Sequence, residues 1–454
     1  MESPELTPRE RMAARGKMGL GLACLSALLI APLAVSRSVD QRFSPGLPAV
    51  FSGDEPHYLV MANSLIDDGD FDLANNYRDV HRGGLQAGRR FAGEPLDHHV
   101  NWYENGTLVK WWQAYEMDPE KWAADDEGHP VATVRAEWGP RSVPEREYSQ
   151  HPVGLPFLLA PILYPFRGTA LVEPVALLCS ALATAVGCCA WCWLVWPYAK
   201  SPGPILTAAS ATYLGSPLWH YGQCLYAESF LACFAVVAYA AALRGGRFGI
   251  AGVFLGAGVL AKAPFGLLAA PLIVDALARR NVKQAVACAV PMMLAGCVVL
   301  EWNRRMYGGW LSNPQEWEPG SLTDGLCGLF LSREHGLLLA APALVLAALA
   351  VPLWFRRQRR DAIVMLLGVA LYGGLMADWG QWWGGTCYSA RLILPIVPFL
   401  FAPLPLLLDT RLWRENLFVW SLTVTVMLIS IVYGAIAAFG CDYVLVKHPI
   451  EALF

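Results

Sequence analysis

"HPVGLPFLLAPILYPF" (residues 151–166) is apolar enough to enter a bilayer, yet it carries Pro152, Pro156, Pro161 and Pro165. Proline has no backbone N–H and interrupts the helical hydrogen-bond ladder. Hydrocarbon gives the orphaned carbonyls no partner. The stretch therefore reads as a re-entrant or interfacial segment, with a proline-kinked span as the alternative. The choice decides the fold, because one extra crossing would reverse the side on which every later loop emerges.

The surrounding sequence leaves no doubt about the solvent. The chain has 454 residues, of which 55% are hydrophobic and only 16% charged, where a soluble domain carries roughly 25% charged residues. Apolar runs at about 19–35, 172–196, 204–219, 224–243, 248–261, 264–278, 284–302, 336–354, 361–377, 391–409 and 418–440 approach the length that crosses a membrane. The expected fold is an all-α polytopic membrane protein with about 11 transmembrane helices. The net charge of −3 averages over faces that never meet. There is no basic domain and no motif for nucleic acid, so nucleic-acid binding is excluded.

Five basic clusters orient the spans: "RERMAARGK" (9–17), "LRGGR" (243–247), "RRNVK" (279–283), "FRRQRR" (355–360) and "RLWREN" (411–416). Cytoplasmic flanks carry the excess of Lys and Arg. With all five inside, loops 303–335 and 378–390 and the segment 36–171, which includes 151–166, face outward. The expected order is a cytoplasmic N-terminus (1–18), a first span (19–35), an extracytoplasmic loop subdomain (36–171), a helical bundle (172–440) and an extracytoplasmic tail (441–454). The apolar run after the basic N-terminus exceeds the roughly 7–15 residues of a signal peptide, and no small-x-small cleavage site follows, so it reads as a retained span in the plasma or inner membrane. None of the 12 cysteines lies in 36–150, which excludes a disulfide framework there. Cys327 and Cys387 sit in two outer loops, but spacing alone does not place them within bonding distance.

The outer segments hold the chemistry. "SGDEPHYLVMANSLIDDGDFDL" (52–73) reads as a turn followed by a helix, with Asp54 and Glu55 at its start, where the helix dipole favours negative charge. Asp54 has two readings, a helix cap and a reactive carboxylate. Asp67, Asp68, Asp70 and Asp72 lack the spacing of a calcium loop and read as a solvated turn, so a divalent cation stays possible without a defined site. Lys262 lies in a tight turn, and Arg333 and Arg391 stand at the mouths of apolar runs. Each has an ordinary reading as an interfacial anchor. Together, on the side where the positive-inside rule disfavours cations, they point to an anionic ligand such as a phosphate or pyrophosphate. Trp382 and Trp383 fit an interfacial aromatic belt or a flat platform for a sugar ring.

"GDEPHY" (53–58), "SQHPVGLPFLLAP" (149–161), "HYGQCLYAESF" (220–230) and "WWGGTCYSARLILPIVPF" (382–399) resemble, as an ordered set, the GT-C superfamily of membrane glycosyltransferases, which includes protein O-mannosyltransferases and the lipid A aminoarabinose transferase. The resemblance covers most of the chain to about residue 410, but the large soluble C-terminal domain of the best-known members has no counterpart. It implies transfer of a sugar from a polyprenyl-phosphate donor to an acceptor (protein, glycolipid or polysaccharide) on the extracytoplasmic face of the cell envelope. It implies Asp54 or Glu55 as catalytic base, with Lys262, Arg333, Arg391, His151, Glu228, Trp382 and Trp383 around the substrate. Direct displacement at the anomeric carbon, with inversion, needs one such base. Two alternatives belong to other classes: a transporter or flippase of lipid-linked saccharides, and a structural assembly factor. A transporter places its polar groups near the midplane and commonly shows internal repeats; here they gather at one face.

Overall fold

The computed structural model describes residues 8–34, 54–73, 76, 100–104, 107–110, 146–169, 171–312, 317–385 and 387–439. Most of the expected loop subdomain between 36 and 145, and the expected tail from 441 onward, lie outside the described residues.

The chain is helical. Among the described residues, six segments are long and apolar enough to cross a membrane: Gly16–Ala34, Val172–Leu194, Val282–Tyr307, Arg359–Asp378, Arg391–Leu408 and Leu417–Phe439. Six of the eleven expected runs reach that length, and the others form shorter or broken helices. The run at 336–354 is broken into Leu337–Ala340, Leu344–Leu349 and Val351–Arg357, with Pro342 and Pro352 at the breaks. Ala227–Leu243, Phe248–Ala261 and Ala263–Ala278 are apolar but shorter. The all-α expectation also needs one amendment. Three short strands, β1 (Val100–Glu104), β2 (Thr107–Lys110) and β3 (Arg146–Ser149), pair antiparallel in the order β2-β1-β3.

The helices that matter below are α1 (Pro8–Ile30), α2 (Glu55–Asp67), α3 (Gly154–Leu163), α4 (Val172–Leu194), α5 (Pro202–Tyr213), α6 (Ala227–Leu243), α7 (Phe248–Ala261), α8 (Ala269–Ala278), α9 (Val282–Tyr307), α10 (Leu322–Leu331) and α11 (Arg359–Asp378). The proline-rich stretch of the opening is α3, 10 residues long, followed by a 3-residue 3-10 turn, Tyr164–Phe166. At about 1.5 Å per residue it reaches roughly 20 Å, well short of the roughly 30 Å hydrocarbon core. It lies against α2 and the C-terminal end of α7. The contact is backbone to backbone: a Cβ on Gly154 would stand 2.1 Å from the Leu260 carbonyl. Small residues also bring α7 onto α9, where a Cβ on Gly252 would meet the Cys288 oxygen at 2.4 Å. Close packing of this kind replaces the hydrophobic drive that lipid does not supply.

The two ends of the bundle differ in chemistry. At one end, three of the basic clusters meet buried acids. Arg244, after α6, pairs with Asp361 and donates from Nε to the Leu194 carbonyl at 2.6 Å, while the Tyr198 hydroxyl donates to Asp361 at 2.9 Å. Arg360 grips Asp275 with two bonds of 2.8 Å, and Arg279 joins the same carboxylate. The clusters at 243–247, 279–283 and 355–360 thus share one end of the molecule, as the charge pattern requires. Helix α6 begins at the other end with Glu228, and α7 and α11, running the opposite way, finish there at Lys262 and Trp379.

Candidate active site

Asp54 occupies the N-cap position of α2, with φ −73° and ψ −21°, but its side chain makes no capping bond. Its backbone carbonyl starts the helix, accepting from the Tyr58 N–H at 3.3 Å. The carboxylate points elsewhere. Oδ2 accepts from Arg391 Nη1 at 2.8 Å, and Oδ1 lies 3.9 Å from His151 Nε2. Of the two readings of Asp54, the structure removes side-chain capping.

Arg391 is brought there by a strained turn. Gly384 and Gly385 have φ of +73° and +82°, and Ser389 also lies in the left-handed region at +53°. Side chains rarely adopt that region. The turn folds the Gly384 carbonyl back to accept from Arg391 Nη2 at 2.8 Å. The guanidinium also lies over the Tyr226 ring, 4.9 Å from its centre. Its Nε is 3.8 Å from Oε1 of Glu228, and the same oxygen is 3.2 Å from Lys262 Nζ. Asp54, Arg391, Glu228 and Lys262 therefore form one alternating chain of charges, largely shielded from solvent. It joins residues up to 337 positions apart.

The other expected site residues divide clearly. His151 is buried, and its ring is 5.3 Å from His57 and 5.4 Å from Tyr58. Glu55 is buried, and its Oε1 accepts from the Leu225 N–H at 2.6 Å, tying α2 to the approach of α6. Arg333 is exposed on the turn after α10 and contributes none of the contacts of the charge chain. Trp382 and Trp383 meet edge to face at 5.7 Å, and Trp382 packs against Gly328 of α10. The acidic turn after α2 is stitched into the protein: Asp70 accepts from the Asp72 N–H at 3.0 Å, and Asp72 from the Glu147 N–H at 2.9 Å. Cys327 and Cys387 are both free thiols.

A cleft opens beside Lys262, between the approach to α3 and the C-terminal ends of α7, α9 and α11. Gln150, Trp302, Asn303, Tyr307 and Trp379 are among its walls. The Tyr307 hydroxyl donates to the Ser149 carbonyl at 2.7 Å, which fixes the end of α9 to β3 two residues before His151. Sequence reading missed Tyr226, Tyr307 and Trp302. The first was legible as the aromatic two positions before Glu228 in "LYAESF"; the others sit in "EWNRRMY" (301–307), where cations at a helix end were the signal. It also missed Tyr58 as a site group. Burial pushes its phenol well above the usual range and the Asp54 carboxylate adds to this, so it stays a hydroxyl donor.

A divalent cation has no evident place here. Asp54 and Glu228 are each matched by a cationic side chain, and among the described residues no three His, Cys, Asp or Glu side chains are grouped as metal ligands.

No protein-family model matches the chain, and no curated protein matches it by sequence. Solved structures do share its fold. ArnT from Cupriavidus metallidurans in the apo state superposes with a TM-score of 0.54 at 14% identity, over 96% of this chain and 77% of that one. The same protein bound to undecaprenyl phosphate gives 0.52 at 13% identity, over 95% and 77%. The apo oligosaccharyltransferase from Archaeoglobus fulgidus gives 0.50 at 11% identity, over 93% of this chain and 55% of that one. The fold implied by the resemblance of "GDEPHY" and its companion motifs is the fold observed.

Proposed function

We propose that this chain is a membrane glycosyltransferase that moves a sugar from a polyprenyl-phosphate donor to an acceptor on the extracytoplasmic face. The observation that carries the reading is the charge chain: a carboxylate without a capping role, joined through Arg391 and Glu228 to Lys262 at the edge of a cleft. The structural neighbour bound to undecaprenyl phosphate supports a lipid-phosphate donor.

The roles follow from the chemistry of a glycosyl phosphate. Asp54 takes the proton of the acceptor hydroxyl on Oδ1, while Arg391 fixes the carboxylate by Oδ2. The acceptor oxygen attacks the anomeric carbon from the face opposite the phosphate, the C–O bond to phosphate breaks, and the centre inverts. The electron pair goes to the phosphate oxygen, whose new charge Lys262 and Arg391 stabilise. Tyr58 and His151 line the path of the acceptor hydroxyl, and Trp382 and Trp383 offer faces for a sugar.

The test is reconstitution in liposomes with a polyprenyl-phosphate sugar labelled in the sugar, paired with mass spectrometry of cell-envelope glycans with and without the chain. Release or transfer of the label, lost in Asp54→Asn, supports the reading. Movement of intact donor across the bilayer without cleavage would put a flippase in its place.

A further inference from the structure

We infer that Glu228 is the release element of the site: a buried counter-ion that competes with the phosphate for Lys262 and Arg391. The inference rests on the proposed lipid-phosphate chemistry and assigns Glu228 a positioning role, acting through the two cations.

Its geometry is that of a partner made to be exchanged. One oxygen, Oε1, serves both cations, at 3.2 Å from Lys262 Nζ and 3.8 Å from Arg391 Nε. The second distance exceeds a hydrogen bond. The other oxygen, Oε2, has no hydrogen-bond partner among the described residues, although Glu228 is only 3% exposed. A carboxylate held for stability alone would have both oxygens satisfied, because a buried charge without hydrogen bonds is costly. Lys262 lines the cleft, whereas Glu228 is not among its walls, so a phosphate entering there can meet Lys262.

The reaction creates the need. The donor is a phosphodiester with one negative charge. After transfer, the acceptor proton is on Asp54, the new glycosidic bond is made, and the lipid keeps a phosphate monoester. That group approaches two negative charges near neutral pH, since its second pKa is about 6. Asp54, Arg391, Glu228 and Lys262 sum to zero charge before transfer. They sum to plus one while Asp54 holds the proton. The product is therefore held more tightly than the donor just when it must leave. Glu228 supplies the opposing charge, reclaiming Lys262 and Arg391 as the phosphate departs.

The test is binding of geranylgeranyl phosphate in detergent micelles to the full chain, together with steady-state and single-turnover transfer. Glu228→Gln keeps the shape and an acceptor for Lys262 but removes the competing charge. It is expected to bind the phosphate about tenfold more tightly, equivalent to about 1.4 kcal/mol, with KM and kcat both lower and the single-turnover rate preserved. Glu228→Asp keeps the charge but withdraws it by one methylene, so a smaller tightening, about threefold, is expected; it serves alone if the amide variant does not fold. Unchanged or weaker binding in the folded variant overturns the inference, because a structural or substrate-binding role for Glu228 predicts that direction. Lys262→Ala separates this from failure of the underlying reading: if it binds the phosphate as tightly as the unaltered chain, the phosphate is held elsewhere.

Discussion

Asp54 and Glu55 are adjacent in the sequence, and the fold gives them different work. Asp54 is held by Arg391 and makes no cap, whereas Glu55 anchors the Leu225 N–H. Asp54→Asn retains an oxygen that can accept from Arg391 but loses the charge of the pair, so the variant is expected to fold with stability lowered by about 1.5–3 kcal/mol. An amide does not take up a proton, and transfer is expected to fall by a factor on the order of 10²–10⁴, read as turnover of the labelled donor with thermal melting alongside. Glu55→Gln gives a different pattern. It keeps an acceptor for Leu225 but weakens a charge-assisted bond, so stability drops by about 1–2 kcal/mol while turnover stays within a few-fold. A loss in Glu55→Gln as large as that in Asp54→Asn would move the base to Glu55. Both residues were legible as a pair from their place after the first apolar run. Which one faces the chemistry was not, because the deciding partner, Arg391, lies 337 positions away.

Among the elements, α3 positions the site without contributing a reactive group. Its first residue, Gly154, lies against the Leu260 carbonyl with no room for a Cβ, and that contact sets His151 beside α2 and fixes the turn that presents Lys262. The obstacle is backbone, which does not step aside as a side chain would. Gly154→Ala is expected to cost about 1–3 kcal/mol and to lower transfer through displaced geometry. The checks are a thermal melt and weaker binding of geranylgeranyl phosphate, although no charge has changed. Unaltered binding and stability would show that α3 and α7 separate freely. The prolines of 151–166 announced a short, broken element from the sequence alone, since a missing N–H is a local property. Its seat on α7 depended on a single glycine whose meaning exists only in the packed state.

At the scale of the whole molecule, the charges collect at two ends. The basic clusters at 243–247, 279–283 and 355–360 meet at one end through Arg244, Arg360 and Asp275, and the Asp54 chain lies at the other. Single cysteines at Gly168 and Lys200, on opposite sides of α4, test the topology with a membrane-impermeant thiol reagent in intact cells. Gly168 is expected to label from outside and Lys200 only after permeabilisation; the reverse would make 151–166 a true span. The sequence by itself determined the membrane class and offered the candidate carboxylates and cations, because hydropathy, proline and loop charge act locally and additively along the chain. Tertiary structure alone decided that Glu228 bridges Lys262 and Arg391, that Arg333 stands outside the network, and that the apolar run at 336–354 is broken into three short helices. Those outcomes are set by contacts among distant segments, where one carboxylate oxygen has two cations within reach and a backbone approach at Gly154 fixes the distance between helices.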